Sequence, residues 1–223
     1  NAAVGVQLLA LTGLASLGCR APGSRPVPRG TGGLLLASAL AAVGVLAIND
    51  SQAGWAVAAP VLVIVVASVV VRRGPWRWLQ ITAALGVMGA GVAGLVWLAR
   101  LAVWPDVALR ALHPVRQQLW RTALDLWGQH RLTGGGAGSF AAMSPLAIDP
   151  DTAPAHSSVL QVASEFGLIG LVLFGLVLVA GLALALRGDA ATAVIAVSAW
   201  TALFVHSLMD HLYHFGSVTL FAA

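Results

Sequence analysis

"GLIGLVLFGLVLVAGLALAL", Gly167 to Leu186, runs its whole length without a charged side chain, between Glu165 on one side and Arg187 on the other. About 20 such residues, rising ~1.5 Å each as a helix, match the ~30 Å hydrocarbon core of a bilayer. Working outward, the same pattern recurs at about 190–209, 79–99, 54–71, 31–48 and 2–19, and a seventh run begins near Phe215. The chain is 59% hydrophobic and 9% charged over 223 residues, with a mean hydropathy of +0.89. That is too little polar surface to cover a water-soluble globule of this size. The fold class expected is all-α, a polytopic transmembrane helical bundle. Asn1 is followed by neither a basic stretch nor a cleavage site, so the chain is expected to be a piece of a longer membrane protein.

All 12 basic residues are arginine, and their placement orients the chain. Arg20, Arg25 and Arg29 share one short loop, Arg72, Arg73 and Arg77 another, and Arg187 lies in a third. Short cytoplasmic loops collect positive charge, so these three are expected inside. Asp50 and Asp210 lie in alternate loops without arginine, and the long connection from Arg100 falls outside with them. Three regions follow: four transmembrane helices over 1–99, one extracytoplasmic loop over 100–156, and further transmembrane helices over 157–223, the last truncated. The formal net charge of +4 is accounted for by this topology, and nucleic acid is not expected as a partner. Cys19, the lone cysteine, forms no intrachain disulfide. The absence of lysine excludes a Schiff base and a lysine phosphate grip.

Within the long loop, Pro114 is suited to open a helix reaching about Trp127. At 100° per residue Arg116, Leu119, Trp120, Ala123, Leu126 and Trp127 share one stripe, whereas Gln117, Gln118, Arg121 and Asp125 lie away from it. The expectation is an amphipathic helix in the membrane interface, with Arg116 at the depth of lipid phosphates. "GGGAGSF", Gly134 to Phe140, either offers successive backbone N–H groups to an anion or marks a flexible loop. "DPD", Asp149 to Asp151, either spaces two carboxylates for a divalent cation or marks a turn.

"AHSSVLQVASEFGLIG", Ala155 to Gly170, places His156 where this loop meets the next helix. If that helix runs unbroken from Ser157, Ala163, Gly167 and Gly170 line up beneath His156 as a stripe of small residues that lets a neighbouring helix approach. Ser158, Gln161 and Glu165 fall opposite, so Glu165 is expected to meet Gln161, four residues back, or a loop arginine. A histidine titrates near neutrality, and at this junction it is suited to take a proton from a hydroxyl or to bond a loop carbonyl.

His156, Ser157, nine residues, Gly167, two residues, Gly170 resembles the histidine motif of the O-antigen ligase and O-antigen polymerase membrane proteins. The order around it is similar too: "RQQLW" and "GGGAGSF" ahead of the histidine, and an "HSLxD" stretch, His206 to Asp210, behind it. The resemblance covers roughly 45–220. One departure is "NDSQAGW", where Gln52 stands in place of the arginine many members carry at the outer end of an early helix.

The resemblance implies a metal-independent, inverting glycosyltransferase that needs no cofactor. It would move a glycan from a lipid-linked oligosaccharide donor on undecaprenyl diphosphate to a glycan, lipid or protein hydroxyl. The reaction would take place on the outer face of a bacterial cytoplasmic membrane, with membrane lipids around it. His156 would be the catalytic base, with Arg116 and Arg121 on the diphosphate and Arg131 or Arg110 assisting. Glu165, Asp210 and Gln52 would support these groups. Two other classes stay open: a multipass transporter, for which His206, Asp210 and His214 at four-residue spacing would form a relay or metal site, and a non-enzymatic assembly subunit.

Overall fold

The computed structural model describes residues 76–148, 152–187 and 190–210, and among these it is helical without strands. The expected spans at 2–19, 31–48 and 54–71 and the run from Phe215 lie outside the described residues, as do Gln52, Asp149, Asp151 and His214. The described residues form six helices in order: α1 (Trp76–Arg100), α2 (Asp106–Ala111), α3 (Val115–Gln129), α4 (Ser139–Met143), α5 (Ser158–Ala185) and α6 (Ala190–Ser207).

Among the described residues two helices, Gln80–Arg100 within α1 and Ser158–Ala185, are long and apolar enough to cross a membrane. On α5, Leu173, Leu176 and Val177 are 58–60% exposed, as the core helix of a soluble protein would not be. A continuous exposed apolar surface of this kind fits a membrane-spanning helix.

The described residues fall into two compact units. One holds 76–88, 180–187 and 190–204. Within it Ala193 and Val197 are fully buried, Thr201 donates its hydroxyl back to the Val197 carbonyl at 2.8 Å, and the Trp200 ring lies against Gly181.

The other unit holds 89–148, 152–179 and 205–210, and it carries all the candidate site residues that are described. Its core is assembled on α3. Leu119, Trp120, Ala123 and Leu126 are buried, the apolar stripe expected from the sequence. The expectation that this stripe faces lipid is corrected: the Trp120 ring packs on Trp104, with centroids 5.3 Å apart, and both are at most 2% exposed. A stripe this well filled is satisfied by protein and leaves little apolar face for the bilayer. Pro114 sits at the N-cap rather than inside the first turn, its φ of −54° already helical.

Carbonyls at and just beyond the C-terminal end of α1 are met from outside the helix. Trp104 Nε1 donates to Leu98 O at 2.8 Å, while Gln117 Nε2 at 3.2 Å and the Arg121 guanidinium both reach Leu101 O. The loop after α1 and the polar side of α3 are thereby fixed to the end of a membrane helix.

Helix α5 is not the unbroken rod expected from its periodicity. Gly167 has φ 62° and ψ −153°, and the ladder is interrupted there. The stripe of Ala163, Gly167 and Gly170 therefore does not continue down one helical face. The segment after α3 fills the gap with its own backbone. Gly135 N donates to Ser164 O at 2.9 Å and Gly136 N to Glu165 O at 2.8 Å. In return, Leu168 N donates to Arg131 O at 2.8 Å and Ile169 N to Leu132 O at 3.2 Å. Two carbonyls and two amides at the break find partners in this way, as irregular backbone at a membrane requires.

Candidate active site

The exchange of hydrogen bonds at the α5 break settles the glycine-rich stretch. Gly134 N is taken by His130 O at 2.8 Å, and the next two amides by the carbonyls of α5. These N–H groups hold backbone, so the anion-nest reading of Gly134 to Phe140 is not supported.

His156 lies two residues ahead of α5, with φ 49°, and is the one non-glycine residue among those described to adopt a left-handed backbone. Such a conformation costs about 1–2 kcal/mol and persists only where its surroundings impose it. Here the restraints are visible on both sides. Trp120 Nε1 donates to His156 O at 3.4 Å, and Ala155 N donates to Gln161 Oε1 at 2.7 Å. Immediately after it, Ser157 caps the helix, its hydroxyl accepting from Leu160 N at 3.4 Å.

The imidazole faces Asp210. Nδ1 lies 3.6 Å from Oδ1, with the two side chains 21% and 27% exposed. That is an orienting contact just beyond hydrogen-bond length, and such contacts shorten when substrate closes a site. Asp210 is itself held from below, since the Ser158 hydroxyl donates to its backbone carbonyl at 3.2 Å. The aspartate and histidine, 54 positions apart in sequence, are thus brought together at the head of α5.

Two more groups share the field of Asp210. Arg116 is half-buried, and this burial pushes its guanidinium below the ordinary arginine value, an effect that Asp210 opposes. It remains a cation at neutral pH. His206 is 6% exposed, and its Nδ1 has no hydrogen-bond partner among the described residues. Helix α6 ends at Ser207, so His206 and Asp210 do not share one helical face as the four-residue spacing had implied. Among the described residues no three His, Cys, Asp or Glu side chains are grouped to hold a metal ion.

The four arginines expected on a diphosphate are not brought together. Arg116 and Arg121 are five residues apart, which turns their side chains about 140° from one another around α3. Arg116 is on the Asp210 side. Arg121 lines a separate cavity of about 860 Å³ together with Arg100, Arg131, Asp125 and Trp127. Arg110, exposed on α2, is not among the residues lining that cavity. Arg100 was missed by sequence reasoning, which took it only as the first residue of the long loop. The signal was its place in the last turn of α1, where a cation is both close to the water boundary and favoured by the helix dipole.

Glu165 is buried and accepts from Gln161 Nε2 at 2.7 Å, the four-residue pairing expected. Trp120 and Gln161 are the residues around His156 whose part the sequence did not disclose.

The sequence profile of the O-antigen ligase family matches residues 37–175, more than half of the chain. No curated protein matches it.

Proposed function

Since the chain belongs to the O-antigen ligase family and is a membrane protein with a glycan-handling role, we propose that it transfers a glycan from undecaprenyl diphosphate to a hydroxyl acceptor, with His156 as general base. The site would face outward from the bacterial cytoplasmic membrane, as the arginine asymmetry of the short loops suggests. The observation that carries the reading is the restrained, left-handed His156 with its imidazole facing Asp210.

In this mechanism Asp210 attracts the N–H at Nδ1 and leaves the Nε2 lone pair available. Nε2 takes the acceptor's hydroxyl proton while the oxygen attacks the anomeric carbon. The bond from that carbon to the phosphate oxygen breaks, and the diphosphate leaves with the electron pair. A single displacement inverts the anomeric centre. Arg116, which shares the field of Asp210 with the base, neutralises the leaving diphosphate. The cavity of Arg100, Arg121 and Arg131 draws the anionic donor to this surface from the other side of α3. The hydroxyl acceptor is a glycan, lipid or protein, and no cofactor or metal takes part.

The test uses the full-length protein in liposomes with an undecaprenyl-diphosphate-linked oligosaccharide, following release of undecaprenyl diphosphate in the presence of acceptor. General-base catalysis is worth about 10²–10⁴ in rate, so His156→Gln should lose at least two decades while still binding donor. EDTA should leave the wild-type rate unchanged. Near-normal turnover by His156→Gln removes the base assignment, and inhibition by EDTA removes metal independence.

A further inference from the structure

We infer that Gln161 is a positioning residue, which holds His156 in its left-handed conformation by gripping the peptide ahead of it, and that Glu165 sets the orientation of the gripping amide. This deepens the reading of His156 as base and rests on it.

Ala155 is fully buried, so its N–H needs an acceptor. It precedes the helix cap at Ser157, and α5 has no carbonyl to offer it. Gln161 Oε1 meets that need at 2.7 Å, reaching back from the second turn of α5. Trp120 holds the carbonyl of His156 at 3.4 Å. The histidine backbone is therefore restrained at the residue before it and at its own carbonyl, which fixes where the imidazole points relative to Asp210.

The Gln161 amide has two ends, and only one arrangement serves. With Oε1 on Ala155 N–H, Nε2 must face an acceptor, and Glu165 Oε1 supplies it at 2.7 Å. The reverse arrangement would set donor against donor at Ala155 and oxygen against oxygen at Glu165. Glu165, 8% exposed, thus has a use far from solvent that requires no contact with substrate.

The experiment is a double-mutant cycle in the full-length protein, with the same liposome assay. Gln161→Leu should lower kcat by about tenfold or more, since a small displacement of a catalytic group costs up to ~10², and should leave donor KM within about twofold. In the His156→Gln background, Gln161→Leu should change nothing further. Gln161→Glu should be as slow as the leucine variant, because it opposes two carboxyl groups. Adding Glu165→Gln to it should restore the rate, because acceptor and donor are then exchanged intact. Full activity of Gln161→Leu overturns the inference while leaving His156 as base. So does an equal loss in the His156→Gln background, or failure of the exchanged pair to recover. A fully active His156→Gln overturns this inference and the base reading together.

Discussion

Gly134 and Gly167 require one another. A Cβ on Gly167 would lie 2.5 Å from Gly134 N, and a Cβ on Gly134 would fall inside the backbone of Glu165 and Phe166. Both residues also have positive φ, 69° and 62°. The close approach lets the segment after α3 enter the break in α5, and the break is what that segment fills.

Alanine at either position should therefore be costly. Gly167→Ala and Gly134→Ala each combine a left-handed backbone penalty of about 1–2 kcal/mol with a clash against main chain that cannot move aside. Gly136→Ala is the control: its φ is 96°, but a Cβ there meets nothing within 4 Å. Thermal unfolding in detergent should place the first two well below Gly136→Ala. The double variant should fall short of the summed losses, because both substitutions disrupt one contact.

Asp210 and Arg116 act on opposite sides of the proposed proton transfer. Asp210→Asn should lower kcat by about 10² or more, since an amide can present its NH₂ to Nδ1 and favour the wrong tautomer. Donor KM should change little. Arg116→Ala should also lower kcat, and Arg116→Lys should restore part of it, because a point charge replaces a planar fork. Burial of this guanidinium opposes its charge, so removing it should not lower the midpoint of thermal unfolding. Wild-type kcat in Arg116→Ala would place the leaving diphosphate elsewhere.

The cavity arginines should behave differently from Arg116. Arg131 is exposed, and its side chain can be removed without touching the carbonyl that receives Leu168 N. Arg131→Ala should raise donor KM about tenfold or more, the value of a charge-assisted contact of ~1.5 kcal/mol, with kcat unchanged. Arg121→Ala should do the same and also reduce thermal stability, because Leu101 O loses one of its donors. Added salt should raise donor KM in wild type more than in either variant.

Topology is tested with thiols in a Cys19→Ser background. Arg25→Cys and Arg73→Cys should resist an impermeant maleimide in intact cells, while Ala137→Cys, exposed in the segment after the glycines, should react. Labelling of the first two and not the third would put the His156 site on the cytoplasmic side.

The parts of this fold that obey a single period were legible. A stripe at 3.6-residue spacing grouped Leu119, Trp120, Ala123 and Leu126 on one face, although what covers that face is protein and not the expected lipid, and the four-residue spacing of Gln161 and Glu165 identified their hydrogen bond. The span expected over 79–99 lies within α1. Gly167 was misread because periodicity assumes a continuous helix, and the backbone that replaces its missing bonds comes from Arg131 to Gly136, far earlier in the chain. The same limit applies to Trp120: its spacing puts it on the apolar face, but the partner of its indole N–H is set by tertiary packing. Arg116 and Arg121 were both chosen for their charge, although their helical angles already separated them. Of the site itself, His156 and Asp210 were named from the motif, but nothing local indicates that the left-handed turn at His156 brings them to 3.6 Å.

The backbone exchange at the α5 break joins the base of an excursion that leaves after Gly136 and returns at Ser164. Its two ends are fixed by main-chain contacts rather than by the length of chain between them. Added residues then cost only the slow logarithmic term of a longer closed loop, ~0.6 kcal/mol per doubling. Ile148, 87% exposed, lies on this excursion beyond the buried Phe140. The neighbourhood of Ile148 is therefore a place where evolution or an engineer can change length and composition, with His156, the proposed base, still held by Trp120 and Gln161.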